Sequence, residues 1–208
     1  MAVERPTGTR ERILHEAAEL FAVRGYGATS TRDIADAVGI RQPSLFHHFA
    51  NKAAILTELL DRSLEDAVPV ARRAARGSGP SGQRLFDYLV ADFTMVLTSP
   101  WNLCGVYSDE VLRDPEFAAQ AKQIGELDAA IRTMIRQGVS SGEFVEVDPE
   151  LTQAMIAGLE IGVIKARPTR ARQQPEIACR EAAAFVLRGL LRDPTQAAVL
   201  PTARSEGR

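Results

Sequence analysis

A single glycine, Gly39, separates two short helical patterns and constrains the fold more tightly than any other feature of the chain. Residues 31–38 and 42–48 each carry apolar side chains at helical spacing, and both are too short to be stable as isolated helices. A longer amphipathic pattern at residues 9–24 precedes them and ends at Gly25. This layout is typical of a helix-turn-helix unit, in which two short helices meet at a tight turn behind a third helix.

The start of each short helix carries residues suited to that position. The Ser30 hydroxyl can accept a hydrogen bond from a free N–H group of the first turn, and Asp33 lies three residues on, where an acid completes the cap. Pro43 falls in the first turn of the next helix, where its missing N–H would have had no partner. These signals predict that both helices begin where the periodicity begins.

The rest of the chain also has helical patterns, and we predict an all-α fold of about nine helices. Asn51 can cap a fourth helix, which we expect Pro69 to kink or end. No run of alternating residues suits a sheet. The remaining predicted segments are a linker at 77–82, helices at 83–98, 115–141, 149–166 and 175–191, and a disordered tail from about residue 192. We expect two helical domains, one at 7–67 and the other at 68–208.

Charge and cysteine content limit the class of protein. The chain has 25 Lys and Arg against 27 Asp and Glu, a net charge of −2, which argues against a protein that coats nucleic acid or an anionic membrane through bulk charge. Its two cysteines, Cys104 and Cys179, form no CxxC pattern, and the first residues lack the apolar run of a signal peptide. We therefore expect a cytoplasmic protein in a reducing compartment, without a membrane span.

The segment between Arg41 and Lys52 has the composition of a DNA-reading helix. It carries two fixed positive charges, two histidines and no acidic residue, directly after the glycine turn. A recognition helix must enter the major groove with some side chains at base edges and others at phosphates. A short helix without acidic residues meets that requirement.

The sequence from Thr31 to Lys52, TRDIADAVGIRQPSLFHHFANK, resembles the DNA-binding signature of the TetR family of transcriptional repressors. The run AAELF at 17–21 and the Gly25-Tyr26 pair agree with it, and the resemblance covers about residues 9–60. It implies a homodimer that reads a roughly palindromic double-stranded DNA operator. It also implies that residues 7–67 form the DNA-binding domain and that residues 68–208 form a domain for dimerisation and for binding an unknown small-molecule effector.

The same resemblance implies which side chains read bases. Gln42 and Ser44 match base-facing positions at the start of the third helix, and Pro43 between them belongs to the same contact set. Thr31 and Arg32 match positions that touch the DNA backbone or nearby bases. The alternative for an exposed arginine such as Arg32 is simple solvation.

Four further residues are implied as groove or phosphate contacts. His47 matches a position at the groove edge, and Lys52 matches a phosphate-contacting lysine at a helix N-terminus, which itself favours an anion. Arg41 lies where the family varies, and it is either a contact or solvated. Phe46 replaces the common tyrosine, so its ring can pack but cannot donate a hydroxyl hydrogen bond to a phosphate.

Small residues recur at helical spacing on the last two predicted helices. Such stripes allow close approach of helices, so we predict a two-fold dimer interface built as a four-helix bundle, with packing within one chain as the alternative. The residues are Ala154, Gly158, Gly162 and Ala166, followed by Ala178, Ala182, Phe185 and Gly189.

Aromatic and polarizable side chains cluster around the apolar helix at 83–98 and its successor. They suit a small-molecule pocket, with an ordinary core as the alternative. The candidates are Phe86, Phe93, Trp101, Cys104, Tyr107 and Met134. Asp92 falls among them, where an unpaired carboxylate is costly, and we expect it to meet Arg132 or Arg136 rather than an effector.

The resemblance implies a ligand-responsive, homodimeric repressor, which an effector would release from its operator by changing the separation of two recognition helices. The alternatives are an activator, a ligand-independent regulator, or a helical interaction module without DNA binding. An enzyme is disfavoured because all three histidines lie in the first 48 residues and no phosphate loop appears. We expect no metal and no cofactor.

Overall fold

The computed structural model describes residues 8–170, 175–193 and 195, without the side chains of 166–170. Over this part the all-α prediction is confirmed, with nine α-helices and one isolated antiparallel bridge between Phe144 and Leu191. No helix in this part combines the length and apolar character needed to cross a membrane. The helices are α1 (Thr9–Arg24), α2 (Thr31–Val38), α3 (Gln42–Phe46), α4 (Lys52–Arg76), α5 (Ser81–Thr98), α6 (Asp109–Leu112), α7 (Ala118–Ser140), α8 (Pro149–Arg170) and α9 (Pro175–Leu190).

The described residues group into two compact units, each of which is built from two separate stretches of the chain. The first unit runs to Asp66 and also includes Ser99–Ile124. The second unit comprises Ala67–Thr98 and the residues from Gly125 onwards. The expected functional boundary between residues 67 and 68 stays a prediction, and the expected disordered tail falls almost entirely outside the described residues.

The turn between α2 and α3 follows from the residues at both ends of α2. Ser30 accepts from the Asp33 N–H at 3.1 Å, and the Asp33 carboxylate accepts from the Ser30 N–H at 2.8 Å, which confirms the predicted cap. Gly39 has a φ of +75°, a left-handed conformation that a side chain would strain. The Ile40 N–H then bonds back to the Ala35 carbonyl at 3.0 Å, so the chain leaves α2 at a fixed angle.

Helix α3 is shorter than predicted because the chain tightens after Phe46. The His48 N–H bonds to the carbonyl of Leu45, three residues back, so the helix ends before the predicted residue 48. Leu45 and Phe49 are buried on either side of this turn and hold α3 against its neighbours. Asn51 then caps α4 as predicted, accepting from the Ala54 N–H at 2.7 Å.

Pro69 was expected to kink or end α4, and the second alternative is wrong because the helix continues to Arg76. Pro69 is exposed, so water can reach the carbonyl group that loses its partner in the preceding turn. The predicted linker is correspondingly shorter, because Ser81 and Gly82 already belong to α5. Both of their N–H groups donate to the Glu143 carboxylate, at 2.8 and 2.7 Å, which satisfies the start of α5.

Within the first unit, Ser99–Ile124 packs directly on the three-helix segment. Gly105 lies against the backbone of Phe21, and a Cβ at that position would overlap the Phe21 carbonyl group. The Tyr107 hydroxyl donates to Ser63 Oγ at 2.6 Å. The Phe117 ring meets the Tyr26 ring edge-on, with the centroids 5.6 Å apart.

Replacement of Gly105 by alanine should therefore destabilise the protein by about 1–3 kcal/mol, because backbone cannot move aside as a flexible side chain can. Thermal or urea unfolding measures this change. Gly125→Ala is the matched control, since a Cβ there meets no described atom within 4 Å and alanine favours the helix. Equal stability of the two variants would contradict a close backbone approach at Gly105.

Candidate functional site

The first turns of α2 and α3 meet at one hydrogen bond. Gln42 Nε2 donates to Thr31 Oγ1 at 2.8 Å, although the two residues lie eleven positions apart in the sequence. Both side chains are half-buried, and Arg32 beside them is exposed. The fold thus brings together two predicted DNA-contacting residues that lie on different helices.

One face of α3 is anchored and the other is exposed. Leu45 is fully buried, whereas the Phe46 side chain is 45% exposed, which is unusual for a large apolar residue. Arg41, Pro43 and His47 are also exposed, and Ser44 is half-buried. Of the predicted contact residues from Arg41 to His47, only Gln42 and Ser44 are half-buried, and the exposed surface that the others form contains no acidic side chain.

Lys52 lies at the start of α4 but is not extended into solvent. Its Nζ donates to the Tyr26 carbonyl at 2.6 Å and lies 4.1 Å from the centroid of the Tyr26 ring. Burial lowers the pKa of Lys52, while the nearby Glu110 carboxylate acts in the opposite direction. The Lys52 ammonium group thus holds the start of α4 against the Tyr26 loop, and its predicted phosphate contact stays a prediction.

Arg10 has a structural position that sequence reasoning did not find. Its guanidinium lies 4.2 Å from the centroid of the Phe49 ring, donates to the His48 carbonyl at 2.7 Å and pairs with Glu58. These contacts fix the chain where it leaves α3. No pattern marks such a residue, because its partners are a backbone carbonyl and two residues about 40 to 50 positions away.

The predicted effector residues divide between the two units. Phe86, Phe93 and Met134 are at most 3% exposed and belong to the apolar core of the second unit. The other three, Trp101, Cys104 and Tyr107, are half-buried and belong to the first unit. The use of these six residues for effector binding stays a prediction.

Asp92 is 6% exposed, and the expectation that Arg132 or Arg136 pairs with it is wrong. Its carboxylate instead accepts a hydrogen bond from the Tyr88 hydroxyl, and burial raises its pKa to about 7. Arg132 and Arg136 both pair with the Glu150 carboxylate, with N–O distances of 3.2 and 3.9 Å. Glu150 is well exposed, so an arginine reaches it without the desolvation cost of entering the core.

Glu160, which is half-buried on α8, is a second acid near this core. Burial raises the pKa of Glu160 well above its usual value, and the charges of Asp92 and Asp128 raise it further. Repulsion between buried carboxylates favours a protonated form of at least one of them. In the part of the chain that the structure describes, no group of three His, Cys, Asp or Glu residues is arranged to hold a metal ion.

The predicted small-residue stripe lies on an exposed face of α8. Ala154, Gly158 and Gly162 are exposed, and a Cβ at either glycine would meet no described atom within 4 Å. On α9, Gly189 is equally open, Ala178 and Ala182 are half-buried, and Phe185 is 67% exposed. The side chain of Ala166 lies outside the described residues.

Large apolar side chains that sequence reasoning did not select are exposed on the same two helices. Leu151 is 61% and Met155 68% exposed on α8, and Ile177 is 48% exposed on α9. Spacing alone did not single them out because it cannot separate a residue that faces the core from one that faces outwards. Exposure of several large apolar groups on neighbouring helices is typical of an interaction surface.

Together, the glycine turn, the anchored α3 and its exposed non-acidic face define a helix-turn-helix DNA-binding protein. Residues 13–59 match the family model described as bacterial regulatory proteins, tetR family. The transcriptional repressor KstR2 of Rhodococcus jostii is 32% identical over 149 residues, which cover 70% of this chain and 72% of KstR2. The crystal structure of Mycobacterium smegmatis AmtR superposes with a TM-score of 0.73 at 34% identity, covering 95% of this chain and 94% of AmtR.

The chain therefore belongs to the tetR family and is a DNA-binding transcriptional regulator. The prediction that it is not an enzyme agrees with these relatives, which are regulators. Another relative, the transcriptional activator FasR of Mycolicibacterium smegmatis, is 30% identical over 113 residues, which are 54% of this chain and 52% of FasR. The relatives thus include a transcriptional repressor and a transcriptional activator.

The free energy of unfolding should fall as the pH rises from about 4 to about 7. In this range Asp92 keeps its proton in the folded protein, whereas an aspartate in the unfolded chain has lost it. One such proton contributes at most about 1.4 kcal/mol per pH unit. Asp92→Asn keeps an acceptor for Tyr88 and should reduce this fall, leaving the variant more stable than the natural protein at pH 8. Urea unfolding across this pH range measures the free energy of unfolding of both proteins. Asp87→Asn, an exposed change on the same helix, should follow the natural profile.

Proposed function

We propose that the protein is a homodimeric repressor that binds a palindromic operator and is released by a small-molecule effector. The observation that carries the proposal is the exposed, non-acidic face of α3, which Leu45 anchors from the opposite side. The repressor KstR2 is the relative that favours repression. Such a regulator acts where the chromosome is, which agrees with the expected cytoplasmic location.

The proposed DNA contacts follow the arrangement of α2 and α3. Gln42, Ser44 and Pro43 form the leading end of the recognition helix, and Thr31 and Arg32 begin the helix that crosses it. Arg41, Phe46, His47 and Lys52 complete the proposed set around them. Phe46 supports an apolar contact, such as one with a thymine methyl group, in place of a hydroxyl contact to phosphate.

The exposed apolar face of α8 and α9 supports the dimer. A symmetric interface repeats the same patch on both subunits, so open glycines on one protomer leave room for large side chains of its partner. Phe185 and Met155, both about two-thirds exposed, are suited to such insertion. A dimer also supplies two recognition helices, which need a separation of about 34 Å to enter successive major grooves.

The first unit contains a path by which an effector can influence DNA binding. Helix α5 leads directly into Ser99–Ile124, which packs on Phe21 through Gly105 and on Tyr26 through Phe117. An effector that prefers one arrangement of this segment would shift the population of DNA-competent dimers by its differential affinity for the two arrangements. The predicted effector residues Trp101, Cys104 and Tyr107 lie in the same segment.

Selection of bound DNA from a random pool should recover a palindromic site. Arg41→Ala and Arg32→Ala should each weaken binding to that site and reduce the slope of log affinity against log salt by about 1, because each removes a cation near the DNA. Fluorescence anisotropy at several salt concentrations measures both effects. Arg113→Ala, in the first unit and well exposed, is the matched control and should change neither. Recovery of no preferred sequence would contradict the proposed function.

Phe185→Glu should weaken the dimer at least about tenfold, since interface anchors commonly contribute ~2 kcal/mol or more and a charge would be buried. Sedimentation velocity over a range of concentrations measures the dissociation. Val23→Glu replaces another exposed apolar residue, in α1, and should leave the dimer intact. Equal dimer dissociation in the two variants would show that the interface does not include Phe185.

FasR supports activation as the second candidate function. A reporter gene controlled by the recovered operator distinguishes activation from repression. Removal of the protein raises transcription from a repressed promoter and lowers it from an activated one.

A further inference from the structure

We propose that Glu58 is a positioning residue for the recognition helix, and that operator binding depends on this carboxylate although DNA repels negative charge. Glu58 acts through Arg10, whose guanidinium group holds the chain where α3 ends. It is the only acidic residue among residues 41–60, which include the proposed recognition helix. The inference rests on the proposed function, because it is measured as binding to the operator.

The Arg10 guanidinium group meets Glu58 through two of its three nitrogen atoms. Arg10 Nε donates to Glu58 Oε1 at 3.3 Å, and Arg10 Nη2 donates to Glu58 Oε2. Because a guanidinium group is planar, two bonds to one carboxylate fix the orientation of the whole group. The third nitrogen, Nη1, is then directed at the His48 carbonyl, to which it donates at 2.7 Å.

The contact with His48 lies in the turn that ends α3. A helix of five residues cannot hold its own end, and Arg10 supplies a donor to this turn from α1. The same guanidinium lies 4.2 Å from the centroid of the Phe49 ring, which is buried and anchors the segment. The orientation of Arg10 therefore bears on the orientation of α3.

Arg62, one turn further along α4, holds the other side of Glu58. Arg62 Nη2 donates to Glu58 Oε1, and Arg62 Nη1 donates to the two carboxylate oxygens of Glu11 at 2.8 and 3.1 Å. The two arginines and the two acids balance in charge, and the Glu58 side chain is only 19% exposed between them. Glu58 is thus fixed on one side before it pairs with Arg10 on the other.

Without the Glu58 carboxylate, Arg10 has open space into which it can turn. Both residues line a cleft of about 620 Å³, which His48, Asn51 and Thr57 also line. The Arg10 side chain is 44% exposed, so a guanidinium released from Glu58 would gain hydration and side-chain freedom by leaving the His48 carbonyl. Loss of the carboxylate therefore removes a constraint from the end of the recognition helix.

Charge alone predicts the opposite effect of removing Glu58. An acidic residue near DNA repels phosphates, so its neutral replacement would strengthen operator binding if charge were its only contribution. Positioning predicts weaker binding, because Arg10 would no longer hold the end of α3. The sign of the change in affinity separates the two explanations.

The test uses the full-length chain and the operator recovered by selection, with fluorescence anisotropy at several salt concentrations. Glu58→Gln removes the charge at nearly constant volume, and Arg10→Lys keeps a charge but cannot make the planar two-bond contact. Glu58→Gln, Arg10→Ala and the double variant form a double-mutant cycle. Glu65→Gln, an equal change of charge at an exposed position of α4, is the matched control.

We expect Glu58→Gln and Arg10→Lys each to weaken operator binding about fivefold, the effect of losing partly exposed, charge-assisted hydrogen bonds. The salt slope should not change, because neither variant removes a cation from the DNA. The double variant should bind no more weakly than Arg10→Ala, and Glu65→Gln should bind like the natural protein. In Glu58→Gln, hydrogen exchange at the backbone amides of residues 46–50 should be faster.

Two measurements keep this result separate from a loss of folded protein. Stoichiometric titration with the operator gives the fraction of each variant that binds, so that unfolded chains are not counted as a loss of affinity. If Glu58→Gln does not fold, Glu58→Asp replaces it. That variant keeps the charge on a side chain one methylene shorter, so charge alone predicts no change and positioning predicts weaker binding.

Three outcomes would overturn the inference. The first is unchanged or stronger operator binding by Glu58→Gln, and the second is an additive loss in the double variant, which would show that Glu58 acts without Arg10. The third is full affinity in Arg10→Lys with a reduced salt slope in Arg10→Ala, which would make Arg10 a phosphate contact. Failure of the natural protein to select any operator contradicts the proposed function itself, whereas a selected operator with any of these three outcomes contradicts the positioning role alone.

Discussion

The burial of Leu45 and Phe49 is the contact on which the DNA-binding surface depends. Helix α3 has only five residues, and a helix of that length has no stability of its own, so its orientation must come from the side chains that it buries. Those two residues anchor one side of the segment, and the remaining side chains are left exposed or half-buried. The glycine turn before α3 and the Arg10 contacts after it fix both ends of the same short segment.

The segment Ser99–Ile124, which follows α5, also helps to hold the DNA-binding helices in position. Its backbone meets the backbone of Phe21 at Gly105, where no side chain can give way. Its Phe117 ring meets Tyr26, which in turn holds the Lys52 ammonium group at the start of α4. Because a close-packed arrangement of this kind does not deform easily, the segment, Tyr26 and the start of α4 hold one another in position.

The second unit combines two costly features, buried carboxylates in its core and large apolar groups on its surface. The Asp92 charge disfavours ionisation of Glu160, and the Tyr88 hydroxyl bond offsets only part of the cost of burying the Asp92 carboxylate. The exposed face around Met155 and Phe185 is unfavourable in an isolated chain and becomes favourable when a second subunit covers it.

Local signals in the sequence determined the helices, the caps and the turn, since these depend on neighbours within four residues. Ser30, Asp33 and Gly39 lie where their residue types predict, and the resemblance over residues 9–60 indicated the DNA-binding class. Only the tertiary structure decided the contacts that join distant positions. The bond between Thr31 and Gln42, the pairing of Arg132 and Arg136 with Glu150 instead of Asp92, and the continuation of α4 past Pro69 are such cases. In each, the outcome depends on which groups the fold brings within reach and which it leaves to water, and residue spacing along the chain does not carry that information.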